Sequence, residues 1–310
     1  MAYNLQNLIK SMRTPEVREL AWVIGSNPLF DSKVFSAKNK IYTSIDQGNK
    51  QLDLHYNWLL ELDSEPATLQ KHLSNSKSHL LGKRFESLLK FWLNESRSFE
   101  LLMSNKQLIK DKTTYGEIDF IFRDVESEEV IHLEVACKFY LAKENKKKWN
   151  NFVGPNGSDN LHEKMSKLDR QLKLFKGERA STLKNQLGFQ NPRPHAFLKG
   201  YLFHHITNIA KAIAPKGAHP KYNSAWYIRN SETHLLNGES WCLIEKSKWL
   251  STINGAFDDL EIHSKKELTN LINEHFKRQN YAICIAQLID LGDGFIENTR
   301  GIVVPNNWQT

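Results

Sequence analysis

Apolar residues recur at helical spacing through the first part of the chain and change to strand-like runs after it. Val17, Leu20, Ala21 and Ile24 follow Thr14, Pro15 and Glu16, which suit an N-cap and a first turn. A helix is therefore predicted here, stopped by Asn27 and Pro28. A second helix is predicted to begin near Glu65 and Pro66. A third spans roughly Ser78 to Glu95, where Leu80, Leu81, Phe85, Leu88, Leu89 and Trp92 make one wide apolar face. The periodicity then changes. Phe99 to Ile109, Glu117 to Arg123 and Val130 to Leu141 are short segments rich in Ile, Val, Phe and Leu, and read as three successive strands.

A basic stretch from Lys143 to Trp149 leads into a loop at Gly154, Pro155, Asn156 and Gly157. Ser158 or Asp159 can cap a helix running to about Phe175. Asn191, Pro192, Arg193 and Pro194 mark a break before a strand from His195 to His205. The central order is thus helix, three strands, helix, strand. Strand-like pieces at Ala225 to Arg229, Trp241 to Glu245, Ala282 to Leu288 and Gly301 to Val304, with a helix near Lys265 to Arg278, complete the chain. The expected division is an N-terminal helical region over 1–77, an α/β core over 78–210 and a mixed α+β region over 211–310.

Composition adds two things. At 310 residues, 40% hydrophobic and 25% charged, the chain can bury a substantial core and is not a disordered or fibrous sequence. Its 42 Lys and Arg against 35 Asp and Glu give a formal charge of +7, which suits a polyanionic partner as well as plain solubility. Cys137, Cys242 and Cys284 lie far apart with no CxxC pair, and read as small buried hydrophobes. The first thirty residues lack the succession of a signal peptide, and no apolar run approaches the ~20 residues that span a bilayer. A cytoplasmic location and no membrane partner are the expectation.

The chemistry concentrates in two neighbouring strands. Gly116-Glu117-Ile118-Asp119-Phe120-Ile121 is followed by His132-Leu133-Glu134-Val135-Ala136-Cys137-Lys138. Strand alternation places Glu134, Ala136 and Lys138 on one face and Leu133, Val135 and Cys137 on the other, while Glu117 shares a face with Asp119. An acid on a strand is ordinarily a solvated edge or a salt-bridge partner. Two acids on adjacent strands with a lysine on the same face instead suit a Mg²⁺ or Mn²⁺ site for phosphodiester hydrolysis, with Asp119 and Glu134 as ligands and Lys138 beside the attacking water. Lys146, Lys147, Lys148 and Trp149 are candidates for binding phosphates and stacking a base. His132, His162, His204 and His205 show no metal spacing and read as structural, and Trp226, Trp241 and Trp249 as core.

These blocks, with Glu86 on the preceding helix, resemble the α-β-β-β-α-β core of the PD-(D/E)XK, or restriction-endonuclease-like, superfamily. Leu81-Gly82-Lys83-Arg84-Phe85-Glu86, the two strands above and Leu198-Lys199-Gly200-Tyr201-Leu202-Phe203 further resemble an uncharacterised bacterial family within that clan. The resemblance implies an α/β fold with that core between an N-terminal helical extension and a C-terminal mixed α+β region. It implies a nuclease acting on nucleic acid, DNA more than RNA, with Glu86 supporting metal or water. It also suggests Gln171 near the site, with Phe175 one turn later beside nucleic acid. The superfamily lysine lies two residues after the acid, and Ala136 occupies that position. Lys138 reaching back, or Lys164 or Lys167 from the next helix, would have to replace it. A nuclease fold that binds nucleic acid or a partner without turnover is the alternative.

Overall fold

The computed structural model describes residues 4–31, 34, 40–41, 45–75, 80–110, 113–176, 188, 192–292 and 294–309. The N-terminal helices are α1 (Leu5–Ser11), α2 (Pro15–Gly25), α3 (Ile45–Ser64), α4 (Ala67–Ser74) and α5 (Leu81–Glu95), with the short strand β1 (Lys40–Ile41) between α2 and α3. Then follow β2 (Phe99–Lys110), β3 (Thr113–Asp124), β4 (Val130–Ala142), β5 (Phe152–Val153), α6 (Leu161–Gln171) and β6 (Arg193–His205). The C-terminal part holds β7 (Ser224–Arg229), β8 (Trp241–Ile244), α7 (Lys265–Arg278), β9 (Ile283–Asp290) and β10 (Phe295–Val304).

The apolar pattern does not predict α3. Its buried leucines Leu52, Leu59 and Leu62 are interspersed with exposed Leu54 and Leu60 among polar residues, which blurs the stripe. The N-cap of α6 is Asn160, whose side chain accepts the Glu163 N–H at 3.0 Å, rather than Ser158 or Asp159. Thr14 does precede α2, but its hydroxyl donates to the Asp63 carbonyl of α3 instead of capping its own helix.

Among the described residues the strands form one mixed sheet in the order β2-β3-β4-β6-β7-β10-β9-β8, with β1 on β6 and β5 on β4. β2, β3 and β4 make an antiparallel meander. β6 returns through α6 to lie parallel to β4, and β7 and β10 continue the sheet in parallel. A connection from β4 to a parallel neighbour needs a crossover, and α6 supplies it.

Side-chain alternation along β4 gives its faces to two cores. Leu133, Val135, Cys137, Phe139 and Leu141 pack with Phe85, Leu88, Leu89 and Trp92 of α5. Ala136 and Tyr140 pack with Leu161, Met165 and Leu168 of α6. The sheet is therefore sandwiched here between α5 and α6. Buried charges tie the outer helices to it. Glu19 of α2 accepts two hydrogen bonds from Arg84 of α5, at 2.8 and 2.6 Å. The fully buried Lys199 of β6 donates to the Ser26 carbonyl just past the end of α2. The three cysteines and Trp226, Trp241 and Trp249 are buried, as expected. No helix among the described residues is long and apolar enough to cross a membrane.

Candidate active site

The site forms where two paired strands part. β3 stays paired with β2 along its length, whereas its register with β4 runs from Arg123↔Val130 only to Phe120↔Leu133. One step further along both strands stand Asp119 and Glu134. Here the ladder is replaced by a side-chain contact, in which Asp119 Oδ2 accepts the Val135 N–H at 2.8 Å. Phe120 and Leu133 both point into the α5 core, so Asp119 and Glu134 are turned to the α6 face. The alternation read from the sequence holds.

Both carboxyls are held in poor solvent. Burial, then the charge of Glu134, pushes Asp119 up to about 7, with Glu86 adding and the Val135 N–H and Lys164 opposing. Burial raises Glu134 to about 8, while contact with Asp119 and the charge of Lys164 pull the other way and Glu117 adds. Two carboxyls facing each other in low dielectric cannot both ionise freely, so without a cation the pair retains a proton near neutrality. Glu134 Oε1 lies 2.8 Å from His132 Nε2, and its Oε2 is buried with no hydrogen-bond partner among the described residues. Burial drives His132 down to about 4, which keeps the imidazole neutral.

Lys164 is a cation whose charge acts on both carboxyls. It sits one turn into α6, half-buried, where burial lowers its pKa while Asp119 and Glu134 act to raise it. Lys138 is placed differently. Its ammonium is 2.6 Å from Asp159 Oδ2, the oxygen to which Tyr140 also donates at 3.1 Å. The expected reach of Lys138 back to Glu134 is therefore not seen, because Asp159, just before the N-cap of α6, captures it. Glu86 is paired with Lys83 at 2.6 Å, and both lie close enough to Asp119 for their charges to act on it or feel it; Glu117 acts likewise on Glu134 and Lys83.

Gln171 closes α6 seven residues after Lys164, half-buried on a similar helical face. Phe175 is not beside a ligand surface. It is buried with its ring 5.2 Å from that of His132, and packs with Leu108, Ile118 and Ile121. Lys146 is engaged by Glu144, whereas Lys147, Lys148 and Trp149 line a surface cleft with His162 and Lys216. The sequence reading missed His132 and Asp159. For His132 the signal was available, since it stands two residues before Glu134 and shares its strand face.

Among the described residues, no group of three or more His, Cys, Asp and Glu side chains lies at metal-holding spacing. A divalent ion here would draw on Asp119 and Glu134, and complete its shell with backbone carbonyl, water and phosphate oxygens. That donor set suits Mg²⁺ or Mn²⁺. The buried, partnerless Glu134 Oε2 and the raised carboxyl pair fit such an ion, because a nearby cation would relieve both.

Residues 18–304 match the family described as Domain of unknown function (DUF1853). The chain belongs to the DUF1853 family. No curated protein and no solved structure matches it.

The carboxyl pair gives this DUF1853 protein an expected pH signature. The folded-state values of about 7 and 8 lie above the ordinary 3.8 and 4.5, so the folded state holds protons that the unfolded chain has released. Their contribution to stability is then complete at low pH and is lost as pH rises through 7 to 8. His132 acts in the opposite sense only below its ordinary 6.5, so the window above that value is clean of it. In EDTA the melting temperature of wild type should fall more steeply from about pH 6.5 to 8.5 than that of Glu134→Gln. Parallel curves would show that the pair is not protonated. Added Mg²⁺ should reduce the difference.

Proposed function

We propose that this DUF1853 protein is a divalent-metal-dependent nuclease of the PD-(D/E)XK type, hydrolysing phosphodiester bonds in nucleic acid, with DNA favoured over RNA by the superfamily resemblance. The observation that carries the reading is the fork between β3 and β4, with Asp119 and Glu134 opposed at the point of parting and the charge of Lys164 acting on both. The succession α5-β2-β3-β4-α6-β6, antiparallel through the meander and parallel after the crossover, agrees with the core which that superfamily implies.

Asp119 and Glu134 would hold Mg²⁺ or Mn²⁺, which supplies an acidified water and charge neutralisation at phosphate. The protein's own residues do the rest. The Val135 N–H fixes the orientation of the Asp119 carboxylate. His132 holds one oxygen of Glu134 and leaves the other for a ligand. Lys164 takes the role that the superfamily gives to the lysine two residues after the acid. Its ammonium orients the attacking water or a phosphate oxygen, and its burial makes proton transfer easier than for a solvated lysine. Lys138, part-exposed beside Asp159, remains available to a phosphate at the mouth of the site.

The test is cleavage of plasmid and oligonucleotide DNA with Mg²⁺ or Mn²⁺ against EDTA. Lys164→Met should lower the rate at saturating metal by about a hundredfold or more, and Lys138→Met by less than about tenfold. The reverse ranking would return the role to Lys138. Absence of cleavage across DNA and RNA substrates would remove the enzyme reading and leave the second one, a nucleic-acid-binding protein on a nuclease fold. Ala136 in the lysine position and the Lys138–Asp159 pair are the observations that favour that second reading.

A further inference from the structure

A surface cleft of about 530 Å³ is lined by Lys147, Lys148, Trp149, Asn150, His162 and Lys216, and not by Asp119 or Glu134. It is formed beyond the C-terminal ends of the adjacent parallel strands β4 and β6, a common place for ligands in open α/β sheets. Its walls come from two segments that are strapped together. Asn145 Nδ2 donates to the Lys211 carbonyl at 2.9 Å, and its Oδ1 accepts the Ile213 N–H at 2.7 Å. The Lys216 N–H donates to the Lys147 carbonyl at 3.0 Å, and Trp149 Nε1 donates to the Lys216 carbonyl at 2.8 Å. The indole is further held edge-on by Phe30, at 6.0 Å between ring centroids. The aromatic is thus fixed before any ligand arrives, and three exposed lysines surround it with no carboxylate among the lining residues.

We infer that this cleft is a subsite for an unpaired nucleic-acid strand, with a base stacked on Trp149 and the flanking phosphates on Lys147, Lys148 and Lys216. A pre-set aromatic with lysines around it is the chemistry of single-strand binding, because a base offers its face only when it is unpaired. A duplex would meet the lysines but not the ring. His162 of the cleft lining stands two residues before Lys164 on α6, so this helix connects the subsite to the carboxyl pair. The inference deepens the nucleic-acid reading above and rests on it, but it is tested by binding alone.

The experiment is fluorescence anisotropy of the full chain in EDTA with a labelled oligothymidylate and with a duplex of equal length. The variant Lys147→Ala/Lys148→Ala/Lys216→Ala should bind the oligothymidylate at least tenfold more weakly, and its slope of log K against log salt should be shallower by about 2, for three phosphates. Trp149→Leu should weaken oligothymidylate binding about tenfold with the salt slope unchanged, leave duplex binding unaltered, and be rescued by Trp149→Phe. Unchanged oligothymidylate binding in the lysine variant overturns the inference. So does equal loss of duplex and single-strand binding in Trp149→Leu. The lysine changes are at exposed side chains and keep the test valid if Trp149→Leu does not fold. Cleavage that persists while these variants bind normally sinks the subsite alone; binding that behaves as stated without any cleavage sinks the nuclease alone.

Discussion

Asp119→Asn is expected to lower metal-dependent cleavage of DNA by about a thousandfold or more, in a protein that still folds. Asparagine keeps an oxygen for the Val135 N–H, so the contact that closes the strand fork survives. Alanine would instead leave that N–H unpaired, at about 1–3 kcal/mol. What asparagine removes is the negative charge opposite Glu134. The loss of one of two anionic ligands weakens metal binding, and the metal's contribution to phosphate chemistry is worth several kcal/mol, with about 1.4 kcal/mol for each factor of ten. Plasmid nicking over a range of Mg²⁺ and Mn²⁺ concentrations checks the rate, and titration calorimetry checks the metal affinity. Activity within tenfold of wild type at saturating metal would exclude Asp119 as a ligand.

Gly200→Ala is expected to abolish soluble, folded protein. Gly200 stands opposite Lys138 in the parallel ladder between β4 and β6, with φ +139°. A Cβ there would lie 1.8 Å from the Lys138 carbonyl oxygen. The backbone conformation alone costs a side chain about 1–3 kcal/mol. Relief of the clash would require β4 and β6 to separate at the centre of the sheet, against a typical total stability of about 5–15 kcal/mol. Soluble yield and denaturant unfolding measure this. Gly82→Ala in α5 is the matched control. Nothing lies within 4 Å of its added Cβ, so it should stabilise slightly, by about 0.5–1 kcal/mol. If both variants unfold at the same denaturant concentration, the close approach at Lys138 is not a constraint. The same geometry explains why the block from Leu198 to Phe203 carries a glycine amid large residues: β6 must come close to β4 two positions beyond Ala136.

The sequence by itself determined the parts of this protein that depend on neighbours along the chain. The 3.6-residue stripe of α5, the change to strand periodicity at Phe99, and the alternation that turns Glu134, Ala136 and Lys138 to one face are local, and the fold keeps them. α3 escaped because its leucines are scattered over buried and exposed positions, so its helical state owes more to packing on α2 than to a clean stripe. The cap of α6 fell on Asn160 because the choice among three adjacent capping residues depends on the path of the chain into the helix. Only the tertiary structure decided which cation serves the carboxyl pair. Lys138 had the right strand face, yet Asp159 from the α6 entry takes it, and it is Lys164 of α6 whose charge acts on both Asp119 and Glu134. Both arrangements depend on α6 and its entry folding back onto the face of β4. An ion pair forms between the charges that folding brings nearest, a distance that side-chain periodicity along one strand does not contain.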